Sequence, residues 1–176
     1  MSEVALRRDA AHSRLVGVSS PAAILRRRHP CRSGRSLPAL NIIRIGTSGS
    51  LQKNIPIDSF LMSTYALDIN GMLRSYPTET ISHPEIENAF VKHTQWDEKK
   101  SYPLVITNSK VLESKITSDI IFKGMTATAG GFYGPQGRSL RLAVKDPKLN
   151  TKIDSFDYKG IKVTNLEMET SAIYGL

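Results

Sequence analysis

The chain has 176 residues, and its excess of Lys and Arg over Asp and Glu gives a formal net charge of +8 at pH 7. This length permits one domain, and a hydrophobic content of 40% is typical of a globular core. No apolar run approaches the roughly 18–20 residues that a membrane-spanning helix requires. We therefore expect no membrane partner.

The positive charge is concentrated in residues 1–40, which hold eight Arg, no Lys and two acidic residues. Residues 41–176 are nearly neutral, with sixteen basic and fourteen acidic residues, and Lys becomes the dominant base. The Arg-rich segment has little periodicity and many Ser, Gly and Pro residues, which predicts a disordered tail. Nucleic-acid binding is therefore not the expected function of the domain over 41–176.

Three interpretations of the tail are left open. It resembles a transit peptide in being rich in Arg and Ser and poor in acids, and its charge would also suit a non-specific nucleic-acid-binding arm. The third interpretation is a segment joined to an unrelated domain by fusion or by a misassigned start. The abrupt change from Arg to Lys near residue 40 favours this third interpretation.

Cysteine and histidine usage predicts neither a disulfide nor a metal site. Cys31 is the single cysteine and lies in the tail. The four histidines, His12, His29, His83 and His93, have no ligand-like spacing. We expect a cytoplasmic protein without a metal or an organic cofactor.

The elements predicted over 41–176 alternate between strands and helices. Strands are predicted at 42–45, 60–65, 102–107, 120–129 and 161–165, and helices at 84–93, at 148–156 and from Thr170 onward. Pro84 suits a first helical turn, and apolar residues follow it at helical spacing. This alternation predicts an α/β sheet.

Three of these strands are predicted to end in loops of small residues. The loops are 46–49 after Arg44, 130–138 within the stretch Thr126–Arg138, and 165–172. Ligand sites of open α/β sheets lie beyond the carboxyl ends of the strands. We therefore expect the three loops to contribute to one site.

The glycine-rich loop contains two planar hydrogen-bonding groups, Gln136 and Arg138. An amide and a guanidinium side by side suit the edge of a small heterocycle with alternating carbonyl and N–H groups. The glycines at 130, 131, 134 and 137 would allow a sharp turn and a close backbone approach. The alternative is a surface turn that carries Gln and Arg.

The other two loops carry an Arg and a pair of acids. Arg44, with the small residues after it, is suited to phosphate, because guanidinium binds a dianion through paired hydrogen bonds. The alternative for that loop is a structural Gly/Ser turn. Glu167-Met168-Glu169 offers carboxylates that accept from vicinal hydroxyls, and its alternative is a helix start favoured by the macrodipole.

From about residue 41 to 176 the three motifs, in this order, resemble the nucleoside phosphorylase family, and its uridine phosphorylase branch most closely. The resemblance implies a three-layer α/β sheet domain. Relatives begin earlier, with a strand and a Gly-Asp-Pro-x-Arg phosphate loop, and continue with further sheet and a long helix. We therefore expect the domain to be truncated at both ends, with residues 1–40 unrelated to the family.

The resemblance also implies a role for each motif residue. Arg44, Arg138 and Glu169 would be the catalytic residues. The implied contacts are, for phosphate, Arg44, Gly46 and Thr47; for the base, Phe132, Gln136 and Arg138; and for the ribose, Glu167, Met168 and Glu169.

The implied activity is phosphorolysis of a uridine-like pyrimidine nucleoside to the free base and ribose 1-phosphate. Inorganic phosphate would be the co-substrate, and relatives imply a homo-oligomer. The alternative is a truncated, catalytically impaired fragment that only binds nucleoside or pairs with an intact subunit. A purine nucleoside phosphorylase and a nucleosidase are also left open, although Arg44 argues against a nucleosidase.

Overall fold

A computed structural model describes residues 15–20, by their backbone alone, together with 41–116 and 118–175. The strands are β1 (Leu15–Ser20), β2 (Arg44–Ser50), β3 (Phe60–Asp68), β4 (Leu104–Thr107), β5 (Ile121–Thr128), β6 (Asp157–Tyr158) and β7 (Ile161–Glu167). The helices are α1 (Pro84–Thr94), α2 (Lys110–Glu113), α3 (Leu149–Asp154) and α4 (Thr170–Gly175), with 3-10 turns at Met72–Ser75 and Gly134–Gln136.

Within these residues the strands form one mixed sheet in the order β1-β2-β7-β5-β3-β4, and β6 pairs with β7. The central strands β3, β5 and β7 are parallel, whereas β2 and β4 run antiparallel to their neighbours. The carboxyl ends of the three parallel strands therefore share one edge, which brings Asp68, Thr128 and Glu167 to the same side of the molecule.

Helices cover both faces of this sheet. Successive residues of a strand point to opposite faces, and on β3 Leu67 packs with α1 and α3 whereas Ala66 packs with α4. Phe90 of α1 is fully buried in the first cluster, and Tyr174 of α4 is buried in the second. The result is a layer of helix on each side of the sheet, which confirms the predicted three-layer α/β fold.

Most predicted elements are present with shifted ends. Helix α1 begins at Pro84 as predicted and ends at Thr94, where Gln95 adopts a left-handed conformation with φ of 51°. Strand β7 extends two residues further than predicted, to Glu167, and β3 extends to Asp68. The predicted helix at 148–156 is the shorter α3.

The prediction for 42–49 is wrong. Residues 41–43 lie outside any strand, and β2 begins at Arg44 and runs through the stretch that was predicted to be a loop. The isoleucines that suggested a buried strand are exposed, whereas Ser48 and Gly49 are buried. Backbone pairing decides this: Gly49 pairs with Leu166 and Ser50 with Asn165 of β7, so the small-residue stretch forms a strand.

The tail is largely outside the described residues. Strand β1 lies within the segment predicted to be disordered, and it pairs antiparallel with β2 along six residues. Cys31 and the rest of 1–40 are not among the described residues, so the interpretations of the tail stay predictions. None of the described helices is both long enough and apolar enough to cross a bilayer.

One ion-pair cluster joins α2 to β5 away from the shared carboxyl edge. The carboxylate of Glu113 accepts from Lys110 Nζ at 2.9 Å and from Lys123 Nζ at 3.0 Å. Burial alone would raise the pKa of Glu113, but the hydrogen bonds from the two lysines outweigh it and lower the pKa to about 2.

We expect this cluster to make stability depend on pH. Because the folded-state pKa of Glu113 lies below its ordinary value of 4.5, its stabilising contribution is complete above pH 4.5 and is lost as the pH falls toward 2. The free energy of unfolding of Glu113→Gln, measured by urea denaturation, should therefore be lower than that of wild type at pH 6 and should converge with it near pH 2. Glu98→Gln is the control, since Glu98 is exposed and forms no salt bridge with the described residues. An equal difference at both pH values would contradict this account.

Candidate active site

Arg44 and two glutamates meet at the shared carboxyl edge. The Arg44 guanidinium lies 2.6 Å from Glu169 Oε2 and 3.3 Å from Glu167 Oε2. Strand β2 runs antiparallel to β7, pairing Gly49 with Leu166. This register places Ser48 beside Glu167, and the side chain of Arg44, four residues earlier, folds back along β2 over Gly46 to reach the two glutamates. Topology thus joins two motifs that are more than a hundred positions apart.

Glu167 is held by donors from three directions. Thr128 Oγ1 donates to its Oε1 at 2.6 Å, and the backbone N–H groups of Glu169 and Thr170 donate to its Oε2 at 2.9 and 2.8 Å. Its side chain is almost completely buried. Together with Arg44 these are four donors, which matches the roughly four acceptor sites of a carboxylate. Glu167 therefore organises the turn between β7 and α4.

Glu169 differs from Glu167 in its exposure. Its side chain is 48% exposed, compared with 2% for Glu167, and its carboxylate meets Arg44 alone among the described residues. Met168 is also exposed, at 45%. The two residues that follow Glu167 thus present a carboxylate and a thioether to solvent at the same edge.

Gln136 and Arg138 contact each other directly. Gln136 is buried, and its Oε1 accepts from Arg138 Nη1, which also donates to the Phe132 carbonyl oxygen at 2.7 Å. The Arg138 guanidinium lies 4.3 Å from the centroid of the Phe132 ring, as a cation–π pair. The two predicted base-binding groups therefore form one unit with Phe132.

Burial also affects the pKa of Arg138. Desolvation lowers the pKa of Arg138 below its ordinary value, because a partly buried cation loses hydration. An arginine nevertheless remains protonated at neutral pH.

Gly137, between Gln136 and Arg138, has a φ of 71°, and a Cβ there would lie 2.9 Å from Asn150 Oδ1. Glycine is thus required where the two side chains are brought together.

Strand β2 lies between the two groups. A Cβ at Gly49 would lie 3.2 Å from Arg138 Nη2, and one at Gly46 would lie 2.9 Å from Arg44 Nη2. Both guanidinium groups therefore lie over glycines of the same strand. Thr47, between these glycines, is exposed. The structure thus brings all three predicted motifs to β2 but on its two faces, because Gly46 and Gly49 are three residues apart on a strand.

A cavity of about 800 Å³ adjoins the glycine-rich loop. Of the predicted site residues only Arg138 lines it, and the remaining walls come from the segment 140–146 and from residues such as Trp96 and Lys100. The ion cluster of Arg44, Glu167 and Glu169 lies outside this cavity. We place the candidate site at the cluster, because a guanidinium and two carboxylates meet there. Among the described residues no group of three His, Cys, Asp or Glu side chains is arranged to hold a metal ion.

Sequence reasoning missed Thr128. Its hydroxyl donates to Glu167 and accepts from the Ser171 backbone N–H at 2.9 Å, so it joins β5, β7 and α4. The sequence signal was present, because Thr128 lies two residues before Gly130 at the end of a predicted strand. Its partner was not visible, since pairing of β5 with β7 decides which residue lies opposite it.

The comparisons with known proteins agree with this architecture. Residues 35–176 match the family model of the phosphorylase superfamily, and the chain belongs to that superfamily. The match begins six residues before the expected boundary at 41. A search of the curated proteins found no match.

A solved structure of similar fold is the crystal structure of Trypanosoma brucei nucleoside phosphorylase, which is described as showing uridine phosphorylase activity. It is 23% identical, with a TM-score of 0.58, over 72% of this chain and 46% of that chain. This likeness shows the fold. The chain thus spans less than half the length of the structure it matches.

The different environments of the two glutamates predict different effects on stability. Glu167→Ala leaves the buried Thr170 N–H, the partly buried Glu169 N–H and the Thr128 hydroxyl without their acceptor, so we expect a loss of about 3 kcal/mol in the free energy of unfolding. Glu169→Ala removes a half-exposed ion pair and should change it by at most about 1 kcal/mol. Chemical denaturation of both variants checks this, and equal effects would show that Glu167 is not the organising residue.

Proposed function

We propose that this chain catalyses the phosphorolysis of a uridine-like pyrimidine nucleoside, releasing the free base and ribose 1-phosphate. The observation that carries the proposal is that strand β2 has a guanidinium paired with two glutamates on one face and a second guanidinium paired with an amide on the other. Membership of the phosphorylase superfamily supports the same reaction class.

The phosphate is proposed to bind at Arg44, Gly46 and Thr47. Arg44 is held here by carboxylates, and a phosphate dianion offers the same planar pair of acceptor oxygens to its guanidinium fork. Thr47 is exposed on the same strand, and its hydroxyl would supply a further donor. Gly46 leaves room for the Arg44 guanidinium to fold over the strand.

The ribose is proposed to bind at Glu169 and Met168. Glu169 has acceptor capacity beyond its contact with Arg44, and vicinal hydroxyls are suitable donors to it. Met168 would provide a polarizable apolar contact for the sugar. Glu167, whose oxygens are already occupied, would hold the turn that carries both residues.

The base is proposed to bind at Gln136, Arg138 and Phe132. The Gln136 oxygen is occupied by Arg138, so its amide N–H groups are directed as donors toward a base carbonyl. The second guanidinium nitrogen offers another donor, and the Phe132 ring, 46% exposed, offers a stacking face. Two adjacent donors fit a pyrimidine that carries two carbonyl groups.

In the proposed reaction a phosphate oxygen attacks C1′ of the ribose while the bond from C1′ to the base nitrogen breaks. The electron pair of that bond leaves with the base, and positive charge develops on the sugar, as in glycoside hydrolysis. Phosphate stabilises the sugar charge, and Arg138 and Gln136 stabilise the departing anion. The base then takes a proton from water, so no metal or organic cofactor is required.

The oligomeric state, the cellular location and the choice among related functions belong to the proposal. A homo-oligomer and a cytoplasmic location stay expectations. The alternative functions are a nucleoside-binding chain without turnover, one that pairs with an intact subunit, a purine nucleoside phosphorylase and a nucleosidase. Because the chain spans 46% of the solved structure it matches, activity has to be measured on this polypeptide itself.

The decisive experiment is turnover of uridine by the purified full chain with and without inorganic phosphate. We expect uracil and ribose 1-phosphate in equal amounts, and no uracil when phosphate is omitted, because phosphate is the nucleophile. High-performance liquid chromatography measures both products. Release of uracil and free ribose without phosphate would identify a nucleosidase. Binding of uridine without any turnover would support the non-catalytic alternative, and preference for inosine would overturn the pyrimidine assignment.

Base recognition is tested at Arg138. Arg138→Ala should lower kcat/KM for uridine by about a hundredfold, because one donor to the developing anion is lost. Arg138→Lys should restore only part of this, since an ammonium cannot reproduce the fork. Arg141→Ala is the matched control, because Arg141 is an exposed arginine three residues away. Equal effects at the two positions would place base recognition elsewhere.

A further inference from the structure

A chain of buried side-chain hydrogen bonds crosses the sheet beneath the candidate site. It joins Ser63 on β3 to Thr126 on β5, Thr126 to Asn165 on β7, and Asn165 to Ser48 on β2. The four residues are at most 5% exposed. Four neighbouring strands are therefore linked through their side chains as well as through their backbones.

The donors in this chain determine how the Asn165 amide is oriented. Thr126 Oγ1 donates to Asn165 Oδ1 at 2.8 Å, and Thr164 Oγ1 lies 3.1 Å from the same oxygen and shares its one proton with the Met125 carbonyl oxygen at 3.2 Å. With its oxygen facing two hydroxyl donors, the amide presents Nδ2 to Ser48 Oγ at 2.9 Å. Because Thr126 gives its proton to Asn165, the Ser63 hydroxyl is the donor in the first link.

Strand β2 has few backbone ties to β7. Gly49 pairs with Leu166, Ser50 pairs with Asn165, and Leu51 N donates to the Thr164 carbonyl oxygen at 2.9 Å. The four residues from Arg44 to Thr47 lie beyond this register, where β2 pairs with β1 and only the Arg44 side chain reaches Glu167 of β7. The bond from Asn165 to Ser48 is therefore the last hydrogen bond to β7 before the segment that carries the proposed phosphate contacts.

We infer that Asn165 is a positioning residue for phosphate binding: its amide holds Ser48, and through Ser48 the Arg44–Thr47 end of β2, at the edge where Arg44 meets the two glutamates. The inference rests on the proposed function for its effect on phosphate. Its structural part, the anchoring of β2 to β7 by Asn165, stands on the hydrogen bonds alone.

The amide suits this role for a physical reason. A buried amide that accepts from one strand and donates to the next has a single satisfied orientation, so it defines the lateral position of both strands. An apolar residue at 165 would fill the space but would leave Ser48 and Thr126 without their partner. Small displacements of a binding group are costly in catalysis, which makes this positioning relevant at Arg44.

Three variants and one control test the inference. Asn165→Ala removes both ends of the link. Ser48→Ala removes only the acceptor on β2, whereas Ser48→Thr keeps a hydroxyl at that position. The control is Thr64→Val, which removes a hydroxyl that donates to the Gly124 carbonyl oxygen at 3.1 Å and, among the described residues, forms no hydrogen bond with β2.

Two measurements are made on the full chain. The first is steady-state kinetics with phosphate and uridine varied separately. We expect Ser48→Ala and Asn165→Ala to raise KM for phosphate by about fivefold or more, as for loss of one hydrogen bond. KM for uridine should change less, Ser48→Thr should be near wild type, and Thr64→Val should leave the phosphate KM unchanged.

The second measurement is amide hydrogen exchange, which does not depend on activity. Exchange over 46–51 should accelerate at least fivefold in Ser48→Ala and Asn165→Ala, relative to 121–128, and should remain slow in Ser48→Thr and Thr64→Val. Exchange over 46–51 that is unchanged relative to 121–128 in the first two variants overturns the inference, as does a phosphate KM that is unchanged in a phosphate-dependent wild type. If the wild type shows no phosphate-dependent turnover, the proposed function fails while accelerated exchange still establishes the anchoring.

Discussion

The buried carboxylate of Glu167 is the contact on which the candidate site depends. It accepts from a hydroxyl on β5 and from two backbone N–H groups at the start of α4, and it faces the guanidinium of Arg44 on β2. A buried carboxylate is tolerated only when its lone pairs are satisfied. The strand ends and the helix start must therefore meet at this point, and Glu169 and Met168 are displayed to solvent as a consequence.

The direction of β2 explains how separate motifs meet at one strand. A parallel β2 would have placed Arg44 at the opposite edge of the sheet, remote from Glu167. Because β2 is antiparallel to β7, its first residue lies at the carboxyl edge and its glycines lie under both guanidinium groups. The same direction places Ser48 opposite β7, where the buried amide of Asn165 reaches it. The ion cluster on the edge and the hydroxyl chain beneath it thus act on the same short strand.

The arrangement also separates residues that hold the site from residues available to a ligand. Glu167, Asn165 and Thr128 are buried with their hydrogen-bonding groups engaged by protein. Glu169, Phe132 and Thr47 are exposed at the same edge. Glu167 and Glu169 are only two positions apart and were assigned the same contact from sequence, yet burial gives them different roles. A buried donor set provides the rigidity that a binding edge of exposed groups lacks.

The sequence by itself determined the α/β class, the position of most elements and the three motifs, because hydrophobic periodicity, Pro84 and small-residue clusters are local signals. It also singled out Arg44, Glu167 and Glu169, which the structure brings into contact. Only the tertiary structure decided that the small residues 46–49 form a strand, that Thr128 and Asn165 support the site, and that Glu167 is buried while Glu169 is exposed. These features depend on which strands are neighbours and in which direction they run, and strand pairing is a long-range property that no local pattern encodes.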